Sequence, residues 1–121
     1  MIISIDRLPP SVNHMYGRTR NGITYITKEA KNFKTELGWI AKQKKSNFGS
    51  EKVRIDIIFK IKDKRRRDPD NLLKATLDSL KKVIVDDDSQ FIHGSWTMMN
   101  GQYDRTIIEI EKIENDCKWG K

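Results

Sequence analysis

Hydrophobic residues alternate with polar or charged ones along residues 52–62, from Lys52 to Lys62. A period of two residues is typical of a strand with one buried face, so this segment is the clearest strand of the chain. Shorter apolar runs predict three further strands. They span Ile2–Ile5, about Phe91–Met99 and about Asp104–Ile113.

Two other segments repeat their apolar residues with the period of a helix. The first begins after Thr27, which is a suitable N-cap, and continues to about Lys45. The second follows residues 68–71. The apolar side is Ala30, Phe33, Leu37, Ile40 and Ala41 in the first helix, and Leu73, Leu77, Leu80 and Ile84 in the second.

Two Asn-Gly pairs predict tight turns between strands. Asn21-Gly22 separates Tyr16–Arg20 from Ile23–Ile26, and Asn100-Gly101 separates the last two strands. Both residue types tolerate the positive φ that two-residue hairpin turns require. The resulting order, ββ(β)αβαββ, predicts an α+β fold in which two main helices pack on a small mixed β-sheet. We expect a single domain over residues 1–121, whose last ~7 residues form a loose tail.

The composition excludes several classes of protein. Cys117 is the only cysteine, which rules out an intrachain disulfide and a cysteine-based zinc site. No apolar run approaches the ~20 residues that cross a bilayer, and the first ten residues lack the basic and apolar regions of a secretory signal. We therefore expect a cytoplasmic protein without a membrane partner.

The charge of the chain is divided unevenly along its length. Residues 1–67 carry a net charge of +11, and residues 68–121 carry a net charge of −4. This division suggests a surface that binds a polyanion beside a region that binds cations. The alternative is a basic protein with neither partner.

Two acidic clusters flank the second predicted helix. Asp68 and Asp70 begin it, and Asp86-Asp87-Asp88 follows it. Neighbouring carboxylates repel one another and raise each other's pKa, and a hard divalent cation such as Mg²⁺ removes that cost. Such a cation can polarise a phosphate and activate water, and Lys74, on the same helix face as Asp70, could steady the developing negative charge.

The two clusters share an ion only if the chain folds back between them. A straight helix of this length spans ~15–20 Å, so the chain would have to leave the helix near Lys81 and return as a strand. The β-branched residues at 83–85 favour that return. Alternatively, Asp68 or Asp70 caps the helix, residues 86–89 form a polar turn, and Lys74 is an ordinary solvated lysine.

A run of four basic residues, 64–67, lies directly before the first acidic cluster. Taken alone, it could be a solvated loop. A basic run beside a carboxylate site is also what phosphodiester cleavage needs, since cations dock the nucleic-acid backbone while a metal ion supports the chemistry.

The sequence RRRDPDNLLKATLDSL and the following DDDSQ resemble the RusA family of Holliday-junction resolvases. That family carries a D-x-D-N-x-x-K segment and a later D-D-x-Q segment. The beginning of the chain, LPPSVNHMYGRTRNGITYITKEAKNFK, is also similar to the family's Pro-rich entry, Asn, basic hairpin and helix. The resemblance covers nearly the whole chain.

The resemblance implies a metal-dependent endonuclease that resolves four-way DNA junctions by paired symmetric nicks in recombination and repair. It implies a homodimer and Mg²⁺, with Mn²⁺ as a substitute, and no small-molecule cofactor. By position, Asp68, Asp70 and Asp88 match the catalytic aspartates that bind the metal, and Lys74 matches the motif lysine. Asp87 is the alternative third ligand, because the triplet has one Asp more than the motif needs. Asp86 is then expected to be a turn residue.

The expected DNA surface is the basic side of the molecule. Its residues are Arg18, Arg20, Lys31, Lys34, Lys64, Arg65, Arg66 and Arg67. Tyr16, Tyr25 and Trp96 could stack on an opened base, but core packing is favoured for each, and His14 and His93 are interpreted as non-catalytic. Two rival functions are a non-catalytic basic DNA-binding protein and a metal-dependent nuclease without selectivity for junctions.

Overall fold

The computed structural model of the chain describes residues 1–10, 16–44, 48–64 and 67–113. These ranges confirm the α+β class, with two helices against a mixed sheet. In chain order the elements are β1 (Ile2–Ile5), β2 (Tyr16–Arg18), β3 (Thr24–Ile26), α1 (Lys28–Gln43), β4 (Val53–Ile61), α2 (Pro69–Leu80), a 3₁₀ turn (Asp88–Gln90), β5 (Phe91–Asn100) and β6 (Arg105–Lys112). The predictions for His14, Lys45, Arg65, Arg66 and the C-terminal tail fall on residues outside the described ranges.

The main sheet has the strand order β1-β6-β4-β5. Strand β4 runs parallel to β5, and β6 is antiparallel to both of its neighbours, β1 and β4. The alternation predicted for β4 is confirmed, since every second residue from Val53 to Ile61 is buried. Helix α2 makes the crossover between the parallel strands β4 and β5.

Helix α1 begins and packs as its sequence predicts. The Thr27 hydroxyl accepts a hydrogen bond from the Ala30 N–H at 3.4 Å, which satisfies one of the free donors of the first turn. The apolar side of the helix faces β1 and α2. Ala30 meets Ala75 of α2, and both alanines are fully buried, so the two helices can approach closely.

The buried side of helix α2 agrees with the prediction only in part. Leu73 and Leu77 are only half-buried, whereas Thr76 and Ser79 are buried. Each buried hydroxyl donates a hydrogen bond to a carbonyl one turn earlier, at 2.8 Å for Thr76 and 2.7 Å for Ser79. Because burial costs little once a hydroxyl is bonded, these polar residues can face the core. The predicted apolar side is thus confirmed for Leu80, Ile84 is buried just beyond the end of the helix, and Leu73 and Leu77 pack against the core while remaining half-buried.

The hairpin predicted at Asn100-Gly101 is wrong. Strand β6 lies between β1 and β4, so it does not pair with β5. The link crosses the end of β4, where the Gly101 N–H donates to the Ile61 carbonyl at 3.1 Å and the Lys62 N–H donates to Asp104 at 2.9 Å. The central position suits β6 because Ile108 and Ile110 are fully buried, while β5 is exposed along most of its length.

Strands β2 and β3 form a separate two-stranded hairpin. The hairpin is confirmed, but its turn has three residues, from Arg20 to Gly22, rather than two. The Gly22 N–H donates to the Thr19 carbonyl at 3.0 Å, and Gly22 has a φ of 78°. This arrangement is a type I turn followed by a left-handed residue, the common three-residue hairpin loop.

Neither helix in the described ranges has the length and apolar character needed to cross a bilayer.

Candidate active site

The first acidic motif forms the beginning of helix α2. Asp68 is the N-cap, and its side chain accepts a hydrogen bond from the Asp70 N–H at 3.0 Å. Pro69 follows at the first helical position, where its missing N–H costs nothing. Asp70 lies in the first turn, where the helix dipole favours a negative charge. Both carboxylates are exposed, so capping leaves oxygen atoms of each open to solvent.

Lys74 lies one helical turn after Asp70 and is exposed. Residues four apart on a helix share a face, so its ammonium group projects from the side of α2 that carries Asp70. The beginning of α2 therefore presents two carboxylates and one amine to solvent.

The second acidic motif lies in the turn that follows α2. The helix ends at Leu80, and Lys82 adopts a positive φ of 63° that reverses the chain. Asp86 is exposed in the bend that follows, as expected for a turn residue. The structure thus confirms that the chain leaves the helix near Lys81.

Gln90 ties this turn to the segment that precedes β4, and sequence reasoning missed its role. Its buried amide oxygen accepts from the Asp87 N–H at 2.9 Å, and its amide nitrogen donates to the carbonyls of Gly49 and Glu51, both at 2.7 Å. The Asp87 side chain in turn accepts from the Gln90 backbone N–H, which completes a capping box, and it also accepts from the Ser89 N–H at 3.2 Å. The pattern of Asp followed three residues later by Gln is the signal that could have revealed this box.

The carboxylate of Asp87 accepts hydrogen bonds from, and forms an ion pair with, residues close to it in the turn. The Ser89 hydroxyl and N–H donate to it, and the Lys81 ammonium lies 3.3 Å away. Hydrogen bonds from Ser89, together with the charge of Lys81, hold the pKa of Asp87 below its ordinary value of 3.8. These contacts assign Asp87 a structural role in the turn.

Replacing Asp87 by Asn should lower the melting temperature at pH 7, because the charged form of Asp87 is favoured by folding. A carboxyl whose pKa is lower in the folded protein stabilises it fully above the unfolded value, and loses that contribution as the pH falls through the folded value. The difference between the variant and the wild type should therefore shrink below pH 3.8. Thermal unfolding followed by circular dichroism from pH 7 to pH 2 measures it. The exposed Asp86→Asn variant is the control, and parallel pH profiles for the two variants would contradict the prediction.

Asp88 differs from its neighbour. It is exposed at the first position of the 3₁₀ turn, and its carboxylate has no hydrogen-bond or ion-pair partner among the residues that the structure covers. Of the two alternatives for the third metal ligand, the geometry therefore favours Asp88 over Asp87.

The two acidic motifs do not meet within the chain, so the fold-back that a shared metal site requires does not bring them together. Asp68 follows the end of β4, whereas Asp88 lies where β4 begins, because Phe91 pairs with Val53 in the parallel register. Helix α2 separates the motifs and, with 12 residues, is about 18 Å long. Across residues 1–10, 16–44, 48–64 and 67–113, no three acidic, His or Cys side chains gather closely enough to hold a metal ion. The strand that follows the turn is β5, but it starts near the C-terminal end of α2, whereas Asp68 and Asp70 lie at the N-terminal end of that helix.

The predicted DNA-binding residues lie on several elements. Lys64, at the end of the segment after β4, is exposed, and Arg67 forms an ion pair with Asp63 at 2.7 Å. The other described members of the set lie on the hairpin and on α1. Arg18, Arg20 and Lys31 are exposed, and Lys34 is half-buried.

The prediction that the aromatic residues pack in the core is wrong for Tyr25 and Trp96. Tyr25 on β3 is 50% exposed and Trp96 on β5 is 48% exposed. The side chain of Tyr16 lies outside the described set. His93 is exposed on β5 and lines a groove together with Trp96 and the half-buried Leu73 and Leu77 of α2.

Comparisons with known proteins cover both acidic motifs. The sequence profile described as "Endodeoxyribonuclease RusA" matches residues 7–111. The crossover junction endodeoxyribonuclease rusA of Enterobacteria phage HK97 is 39% identical over 85 residues, which are 69% of this chain and 70% of the phage protein. The protein of that name from Enterobacteria phage 82 is 34% identical over 108 residues, 84% of this chain and 89% of the relative. The crossover junction endodeoxyribonuclease RusA of Escherichia coli strain K12 is 33% identical over 108 residues, with the same coverage.

Proposed function

This chain belongs to the RusA family of endodeoxyribonucleases, and we propose on that basis that it is a metal-dependent endonuclease that resolves four-way DNA junctions by paired nicks in recombination and repair. Its relatives in two phages and in Escherichia coli are named crossover junction endodeoxyribonucleases. The family assignment confirms the resemblance that the motifs indicated.

The arrangement at the beginning of α2 carries the proposal. Asp68 and Asp70 are exposed oxygen donors, which is the donor type that Mg²⁺ prefers, and Mn²⁺ accepts the same ligands. When bound there, the ion would supply a Lewis acid that polarises the scissile phosphate and lowers the pKa of a water molecule. Lys74, on the same face, would place a positive charge beside the phosphate as negative charge develops on it.

A single subunit supplies only part of the proposed ligand set, because Asp88 lies beyond the other end of α2. We propose that a second copy of the chain completes the site in a homodimer. Strand β5 supports this arrangement, since it pairs with β4 alone among the described strands and leaves its outer edge open. An exposed edge strand is a template for pairing with another chain. Trp96 and the groove along α2 supply apolar surface beside that edge.

Twofold symmetry explains how such a dimer could bring the motifs together. Antiparallel pairing of two β5 strands about a twofold axis sets the beginning of one strand beside the end of the other. Asp88 precedes the beginning of β5, while Asp68 and Asp70 lie at the end of the sheet where β5 finishes. Asp88 of the partner subunit would then approach Asp70. A four-way junction is itself nearly twofold symmetric and needs two matched nicks, which two identical sites supply.

Competition between DNA substrates tests the proposed selectivity. We expect the protein to bind a labelled four-way junction with a Kd at least about tenfold lower than that for linear duplex of the same sequence, a difference of about 1.4 kcal/mol. The backbone charge is common to both substrates, so such a preference reports branched shape. Gel-shift competition at fixed salt measures it. Equal competition by linear duplex would favour a nuclease without selectivity for junctions.

A further inference from the structure

The β2–β3 hairpin exposes apolar side chains that contribute nothing to the core. Ile23 is 62% exposed, Tyr25 is 50% exposed and Ile26 is 40% exposed. None of them belongs to the hydrophobic core or packs against it. Exposing apolar side chains on such a small hairpin costs solvation free energy, which indicates a surface that is covered when the protein is bound to a partner.

Tyr25 is held in place although it is half-exposed. It pairs across the hairpin with Gly17. Its ring lies so close to the Gly17 backbone that a Cβ at that position would collide with the ring. Glycine thus makes room for the ring to lie across β2. Ile23 lies directly before β3 and two residues before Tyr25, so the two exposed apolar side chains are neighbours on the same arm of the hairpin.

The tip of the hairpin is fixed by hydrogen bonds. The Thr19 N–H donates to the Ile23 carbonyl at 2.9 Å, and the Ile23 N–H donates to the Thr19 hydroxyl at 3.1 Å. The Thr19 carbonyl also accepts from Gly22. Ile23 therefore lies at the end of a loop whose conformation is fixed by backbone and side-chain hydrogen bonds.

The charges around this apolar face indicate the kind of partner. Arg18 and Arg20 are exposed, and neither forms an ion pair with any residue in the described ranges. Lys28 and Lys31 follow at the beginning of α1, and Glu29 is the one acidic residue between positions 16 and 34. An apolar tip surrounded by cations suits a nucleic acid, in which apolar base faces lie between anionic phosphates.

We propose that the hairpin acts as a wedge at the branch point of the junction: Ile23 inserts between base pairs, and Tyr25 stacks on a base that this insertion exposes. The proposal rests on the proposed function, since it names the part of the chain that distinguishes branched DNA. Apolar side chains that enter a base step unstack it and bend the duplex. Stacking is already interrupted where the arms of a junction meet, so insertion costs less there than within a continuous duplex.

The test uses the full-length protein and a four-way junction with 2-aminopurine beside the branch point, whose fluorescence rises when the base unstacks. Binding without a divalent metal keeps the strands intact. The wild type should raise the fluorescence, and Ile23→Ser should lose most of that rise and lower the nicking rate in Mg²⁺ about tenfold. Tyr25→Ser should lose part of the rise. The matched control is Ile2→Ser, since Ile2 is 55% exposed on β1, in the main sheet, and should behave as the wild type.

Two outcomes would overturn the wedge. One is a fluorescence rise in Ile23→Ser equal to that of the wild type. The other is a changed oligomeric state of Ile23→Ser in sedimentation, because the hairpin would then be a contact between proteins. Failure of the proposed function would look different, since the wild type itself would then show no preference for junctions and no nicking.

Discussion

Replacing Asp70 by Asn should abolish strand nicking while junction binding persists. Asn keeps the size of the side chain and the backbone N–H that donates to Asp68, so the cap at the beginning of α2 is retained. The loss of one negative charge in the first turn should cost stability by only about 0.3–1 kcal/mol. Losing a metal ligand removes several kcal/mol of transition-state stabilisation, and we expect nicking to fall at least about 10³-fold.

The measurement is single-turnover cleavage of a labelled four-way junction in Mg²⁺, with binding followed separately in a chelator. Asp78→Asn is the matched control, because Asp78 lies two turns further along the same helix. It should nick at a rate close to that of the wild type. Asp70→Asn nicking at the wild-type rate would exclude a metal site at the beginning of α2. A wild type that binds junctions but never nicks them would favour the non-catalytic rival.

Mixing two inactive variants, Asp70→Asn and Asp88→Asn, should restore activity if each site draws on both subunits. In a mixed dimer, one site would lack both aspartates, and the other would combine the intact Asp70 of one subunit with Asp88 of the partner subunit. Random exchange makes half of the dimers mixed, so nicking should recover to about a quarter of the wild-type rate. Either variant alone should remain inactive.

The matched control mixes Asp70→Asn with Asp68→Asn. Both residues lie at the beginning of α2, so every site in their mixed dimer is damaged whichever subunit supplies Asp88. This pair should stay inactive. Exchange of subunits in the Asp70→Asn and Asp88→Asn mixture is verified with labelled chains. If this mixture also fails to nick junctions after exchange, the composite site is contradicted.

Structural elements that depend on local sequence patterns could be predicted from the sequence. The order in which strands pair in the sheet could not. The alternation of β4 and the Thr27 cap are local features, and both are confirmed. The position of β6 between β1 and β4 is not local. It depends on which strand has the more apolar residues to bury, and a turn signal at Asn100-Gly101 cannot report that.

The same distinction between local and tertiary features applies to the candidate site. The exposed beginning of α2 and the capping residue Asp68 follow from Asp-Pro-Asp at a helix start. The separation of Asp68 from Asp88 depends on where β5 begins, which the tertiary structure decides. The exposure of Tyr25 and Trp96 also escaped prediction, because a side chain's hydrophobicity does not reveal whether another element covers it.

The tether made by Gln90 makes the turn depend on a single amide group. Its amide nitrogen faces two backbone carbonyl oxygens, so the position needs a donor there. Deamidation to glutamate changes the side chain by a single group, yet it would turn that donor into a third acceptor in a buried place and repel both carbonyls. A change at this one amide would thus free the turn that carries Asp88, the proposed third metal ligand, from the segment that precedes β4.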